Sequence, residues 1–127
     1  MTADLFTEQT WNKLLENGQL RKQDEAFDPE PVVKLFGLPG EATWLLTEID
    51  PESPDIAFGL CDLNLGCAEL GTVSLSEITD FFDLGVVWEF KAEAPISRYA
   101  ALALKAGRII EDGLDEPEEQ SSGTPTT

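Results

Sequence analysis

The residues of this chain best able to do chemistry are carboxylates: Glu48, Asp50, Glu52, Asp55, Asp62, Glu69, Glu77 and Asp80. With Glu41, Asp83 and Glu89 they make a set of eleven within residues 35–90, a stretch that contains no lysine or arginine. Carboxylates so placed could serve in three ways. A close pair can act as general acid and base, oxygens at loop spacing can hold a cation, and a fixed array can engage a basic surface on another molecule.

The first two uses find little support. The chain has no histidine, which removes the Ser-His and Cys-His nucleophile pairs and the commonest general base. With 25 acidic residues some close pair is nearly inevitable, so proximity alone does not argue for catalysis, and no enzyme is expected. Asp50, Glu52 and Asp55 have the look of a calcium loop but lack its central glycine and distal glutamate. Pro51 and Pro54 explain that segment as a rigid connector, so neither a metal nor another cofactor is expected. Gly37-Leu38-Pro39-Gly40-Glu41 has neither the spacing nor the lysine of a phosphate loop.

The array reading is left. Acidic residues outnumber basic ones 25 to 8 in 127 residues, a net charge of -17 that disfavours direct binding to a phosphate backbone. Such a charge favours basic partners or simply solubility. Same-face carboxylates on a strand recur every ~6.6 Å, whereas duplex DNA carries a charge per ~1.7 Å of axis. Imitation of nucleic acid therefore needs several elements to project carboxylates onto one surface, spaced near or inside a Debye length of ~8 Å.

The elements that must position these groups can be read from the pattern. A first helix is expected after Thr7, with Phe6 and Trp11 as a hydrophobic staple and Asn17-Gly18 as its C-terminal cap. A polar connector through Asp28-Pro29-Glu30-Pro31 leads to strands over residues 32–36, 42–49, 56–63 and 67–73. Their short connections predict an antiparallel meander. Ser74 with Glu77 predicts a short helix over residues 75–82, and Gly85 ends it. A fifth strand is expected over residues 86–91, placing Trp88, like Trp44, in a strand and in the core. A last helix opens near Pro95, with Ile96, Tyr99, Ala100, Ala103, Ala106 and Ile110 on one stripe packed on the sheet. Cys61 and Cys67 form neither a disulfide framework nor a zinc site and are expected as buried small apolar residues.

The fold expected is thus α+β: an antiparallel sheet of about five strands with N-terminal and C-terminal helices and a short helix after the fourth strand. It forms a single domain over residues 1–111, followed by an acidic tail over residues 112–127 that is expected to be disordered. No apolar run reaches membrane length and residues 1–8 lack the regions of a signal peptide, so a cytoplasmic protein is expected.

Several runs carry a family resemblance: Lys34-Leu35-Phe36, Ala42-Thr43-Trp44-Leu45-Leu46-Thr47-Glu48, Ala57-Phe58-Gly59-Leu60-Cys61-Asp62-Leu63, Glu69-Leu70-Gly71 and Val73-Ser74-Leu75-Ser76-Glu77. With Ser97, Tyr99, Ala100 and Gly107 they make the chain resemble the bacterial domain of unknown function 2958 across roughly residues 11–110. The resemblance implies a mobile-element setting, plasmid or phage, often beside anti-restriction functions. It assigns no residue a role.

Charge and resemblance together give the leading expectation, a non-enzymatic acidic binding protein that inhibits a host nuclease or CRISPR effector by nucleic-acid mimicry. Its docking residues are the eight carboxylates named first. The alternative is a structural or adaptor module of a plasmid transfer or maintenance system, recognised through an apolar patch, and a carboxylate-dependent hydrolase ranks third.

Overall fold

A computed structural model of the chain describes residues 5–112 and Leu114. The element order is α1 (Glu8–Gln23), β1 (Val33–Leu38), β2 (Ala42–Asp50), β3 (Ser53–Asp62), β4 (Glu69–Ser74), α2 (Leu75–Phe81), β5 (Asp83–Val86) and α3 (Ile96–Ala106). All strand pairs are antiparallel, in the order β4-β3-β2-β1-β5. The first four strands form the expected meander, and the fold is α+β as its sequence implies. After β4 the chain crosses the sheet through α2 and returns to the opposite edge as β5.

The sheet separates two apolar clusters, as alternation along half-buried strands requires. One face contributes Leu35, Trp44, Leu46, Ile49 and Ala57, against which Leu14 of α1, Leu75 of α2 and the partly buried Phe82 pack. Trp44 and Phe82 meet edge to face with ring centroids 5.1 Å apart. The other cluster joins Leu45 and Leu60 to Ile96, Tyr99 and Ala103 of α3.

α1 begins where its sequence predicts. Thr7 Oγ1 accepts from the Thr10 N–H at 3.1 Å, and the rings of Phe6 and Trp11 stack at 6.3 Å. It does not end at Asn17-Gly18 but continues to Gln23, because these two residues serve as contact residues and not as a cap. Asn17 donates to the Thr47 carbonyl at 2.8 Å, and a Cβ on Gly18 would lie 2.0 Å from the Ile49 carbonyl oxygen. A glycine is needed there for the helix to touch β2.

The last strand also differs from expectation. β5 spans Asp83–Val86, with Gly85 paired to Phe36 within the strand. The ladder gains one more bond, from the Val87 N–H to the Lys34 carbonyl, and the chain then turns through Val87–Phe90. Trp88 is 66% exposed in that turn, so its strand-like alternation with Val86 and Phe90 does not mark a core residue. In α3, Pro95 is the N-cap and Gly107, at φ 77, the C-cap, which leaves Ala106 exposed at the helix end and Ile110 beyond it. Of the tail expected over residues 112–127, only Asp112 and Leu114 are described, and Leu114 is buried in the second cluster; the rest lies outside the described residues.

No helix among the described residues is long and apolar enough to cross a membrane. Cys67 is exposed, contrary to expectation, because it lies in the β3–β4 loop, while Cys61 on β3 is partly buried. Burial, with a smaller contribution from the charge of Glu69, pushes the Cys61 thiol up to about 11. Maleimide labelling at pH 8 is therefore expected to modify one thiol rapidly, and Cys67→Ser should remove that fast phase. A fast phase that survives the substitution would contradict this assignment.

Candidate functional site

The eight carboxylates do not share a surface. Strand registers pair Thr43 with Asp62 and Cys61 with Glu69 at one end of the sheet, whereas Asp50 faces Ser53 at the other. The seven steps along β3 from Asp55 to Asp62 place these ends roughly 23 Å apart at ~3.3 Å per residue, well beyond a Debye length of ~8 Å. A single patch containing all eight is ruled out by this geometry.

Glu48 is engaged inside the fold. Its side chain is 8% exposed and accepts two bonds from Arg21, Nε to Oε2 at 2.8 Å and Nη2 to Oε1 at 3.0 Å. The buried Thr47 hydroxyl donates to the same carboxylate at 2.9 Å. Arg21 lies within 5.7 Å of the Phe27 ring centroid and 5.5 Å of that of Phe58. Its hydrogen bond to Glu48 holds the guanidinium pKa above its ordinary value. The sequence reading missed Arg21, although its spacing from Leu14 and Gly18 puts it on the stripe of α1 that meets the sheet.

Asp50 and Glu52 bracket Lys22 of α1, with Nζ to oxygen distances of 3.8 and 3.3 Å. Lys22 and Asp50, with Arg21, Glu48, Pro51 and Phe58, border a groove of about 430 Å³ between α1 and the β2–β3 hairpin. Its positive and negative side chains are paired with each other, so it presents no acidic field.

Asp55 accepts from the Ser74 hydroxyl at 2.5 Å, the Ser76 hydroxyl at 2.9 Å and the Ser76 N–H at 2.9 Å. It thereby pins the start of α2, where Ser74 Oγ also accepts from the Glu77 N–H at 3.2 Å. These bonds, the Ser74 hydroxyl foremost, hold the Asp55 carboxyl below its usual range. A carboxyl depressed in the folded state stabilises it above the unfolded value, and that stabilisation is lost as pH falls through the folded one. Asp55→Asn is accordingly expected to flatten the loss of stability on acidification below about pH 4, measured as urea midpoints at pH 5 and pH 2.5. An unchanged acid dependence would contradict this role.

Asp62 is buried and accepts from the Asn64 N–H at 2.8 Å and the Ile109 N–H at 3.0 Å, tying the β3–β4 loop to the segment after α3. Five of the eleven carboxylates are thus bonded within the fold: Glu48, Asp50, Glu52, Asp55 and Asp62.

The other six, Glu41, Glu69, Glu77, Asp80, Asp83 and Glu89, are exposed and have no ion pair or hydrogen bond through their carboxylates among the described residues. Three of these, Glu41, Glu69 and Asp83, stand at one end of the sheet, and Glu77 and Asp80 lie on the helix that leads there from the other end. Glu41 lies in the β1–β2 turn, Glu69 opens β4, and Asp83 opens β5 opposite Leu38. Glu77 and Asp80 project from α2, which joins those two edge strands. Among them stand exposed apolar side chains, Phe81 at 78%, Leu63 at 46% and Leu70 at 41%. The basic residues of α3, Arg98 and Lys105, belong to the element that covers the opposite face. Of these five, Glu69, Glu77 and Asp80 are among the residues expected from sequence; Asp83 follows α2 directly in the chain, and Glu41 joins it only through the pairing of β1 with β5.

No curated protein and no solved structure matches the chain. A family model matches residues 5–110, a span that takes in every element from α1 to α3. The chain belongs to the family described as Protein of unknown function (DUF2958).

Proposed function

We propose that this is a non-enzymatic acidic binding protein of a mobile element, which occupies a basic, nucleic-acid-binding surface of a host nuclease or CRISPR effector. The observation that carries this reading is the distribution of unengaged carboxylates: Glu41, Glu69 and Asp83 stand at one end of the sheet, and Glu77 and Asp80 lie on α2, which leads from β4 to that end. No lysine or arginine interrupts residues 35–90 to neutralise them. Carboxylates held on strands and a helix lose less freedom on docking than those of a flexible tail, which favours association. Their combined field steers a basic partner and opposes nucleic acid itself.

This reading places docking at α2 and the adjoining strand ends. Glu48, Asp50, Glu52, Asp55 and Asp62 serve the fold instead. Capture from a bacterial lysate with active restriction and CRISPR systems tests it, comparing wild type with Glu69→Gln/Glu77→Gln/Asp80→Asn. The expected partner is a nucleic-acid-binding protein retained by wild type, released by duplex DNA, and lost or much weakened with the triple variant. Equal retention by the triple variant would contradict the reading.

An adaptor of a plasmid transfer or maintenance system is the second reading, favoured by the exposure of Phe81, Leu63 and Leu70. It predicts capture that tolerates salt, resists DNA and fails in Phe81→Ala.

A further inference from the structure

β4 forms one edge of the sheet, so alternate residues of its six direct their N–H and C=O groups away from β3. Its register to β3 runs from Ile56↔Ser74 to Cys61↔Glu69 without a shift. No bulge, proline or lysine protects this edge, whose sequence is Glu-Leu-Gly-Thr-Val-Ser. Gly71 stands at its centre.

Glycine inside a strand weakens it, and usually answers to a bulge, a positive φ or a close approach of other atoms. The continuous register excludes the bulge, and Gly71 is not among the residues at positive φ. A Cβ built on it would meet nothing within 4 Å, so nothing within the described fold demands its absence. What remains is approach from outside the described fold.

Gly71 opens on a groove of about 370 Å³ between β4 and α2, lined by Trp44, Leu70, Ile78, Phe81 and Phe82 and bordered by Glu69. Glu77 and Asp80 line a neighbouring hollow on α2 that shares Ile78, Phe81 and Phe82 with it. An apolar trough bordered by Glu69, with further carboxylates on the adjoining helix, suits lysine and arginine side chains, whose stems are apolar and whose heads are charged. We propose that β4 takes up an extended segment of the basic partner as an additional strand, with lysine or arginine at every second position facing the groove. The inference rests on the acidic docking reading above and supplies its mode: main-chain bonds to β4 give affinity, and the groove selects the side chains. A second copy of the chain is a poor occupant, since each carries a net charge of -17.

The probe is a capped eight-residue peptide alternating lysine and valine, titrated into the full-length protein in 20 mM salt. Hydrogen exchange measured by NMR is expected to show new protection at alternate β4 amides. Two further peptides of identical charge, N-methylated on one or the other set of alternate amides, should separate, one binding like the parent and the other about tenfold or more weakly. Gly71→Val should keep or raise the melting temperature, because a β-branched residue suits an open strand position, yet weaken the peptide by a similar factor. Gly85→Val on the opposite edge, equally open, should leave binding unchanged. No binding, no protection at β4, or equal loss with both methylated peptides would overturn the strand proposal. Binding that Gly71→Val spares but Glu77→Gln/Asp80→Asn abolishes would also overturn it, while leaving the acidic docking surface standing.

Discussion

Arg21→Ala is expected to destabilise the fold by about 2 to 3 kcal/mol. The substitution leaves Glu48, 8% exposed, with only the Thr47 hydroxyl as a side-chain partner, and an uncompensated buried carboxylate costs ~3–5 kcal/mol in a fully dry site. The lower figure applies because Arg21 keeps 30% of its side chain in solvent, so water screens part of the pair already. Loss of the flanking contacts to Phe27 and Phe58 adds to it. Thermal unfolding should show a fall of roughly 10 °C or more. Arg21→Lys should recover only part of this, since an ammonium cannot make the two parallel bonds. Lys22→Ala, whose ion pairs with Asp50 and Glu52 are exposed, should move stability by less than about 1 kcal/mol. Equal effects of Arg21→Ala and Lys22→Ala would contradict the distinction between the two pairs.

Gly18→Ala carries the second large expectation, and here two effects oppose each other. Alanine is preferred over glycine within a helix by ~1 kcal/mol, which would stabilise an exposed site. At Gly18 the new Cβ falls 2.0 Å from the Ile49 carbonyl oxygen and 3.0 Å from Pro51 Cδ, and the nearer atom is backbone that cannot rotate away. α1 must move off β2, straining the bond from Asn17 to the Thr47 carbonyl. Overpacking of this kind costs ~1–3 kcal/mol or more, and the lost buried hydrogen bond about 1 kcal/mol, so destabilisation wins. The urea midpoint of Gly18→Ala should fall clearly below wild type. Gly71→Ala, in open space, should match or exceed wild type by about 0.5 kcal/mol. A midpoint raised by Gly18→Ala would mean that the helix does not touch the sheet there.

These two positions also show what a linear reading can and cannot find. The start of α1 was legible because Thr7, Phe6 and Trp11 act within one turn, and the four-strand meander because its connections are short. Asn17-Gly18 has the local form of a helix end; its true use depends on Thr47 and Ile49, some 30 residues away. The alternation of Val86, Trp88 and Phe90 likewise imitates a strand, while β5 begins three residues earlier, set by the free edge of β1. Nothing local announces that edge.

The candidate site follows the same rule. Residue type identifies every carboxylate, but whether it faces solvent depends on distant partners: Arg21 for Glu48, Ser74 and Ser76 for Asp55, and the Ile109 N–H for Asp62. The sequence reading therefore joined residues from both ends of the sheet. Glu41 is brought near Asp83 and the end of α2 only by the pairing of β1 with β5, which nothing local in the sequence announces. The acidic stretch is accordingly two things at once, a bonded set that shapes the fold and an open set around α2 and the strand ends.

One titration separates the bonded set of carboxylates from the open set. The partner captured by wild type is bound to a fluorescent DNA duplex and displaced by increasing protein, at 50 and 200 mM salt. Wild type is expected to displace DNA with an affinity that falls steeply with salt, Glu69→Gln/Glu77→Gln/Asp80→Asn to lose most of this activity, and Asp50→Asn/Glu52→Gln to keep it. Full displacement by the first variant with loss in the second would place docking at the α1–β2 end and contradict the account.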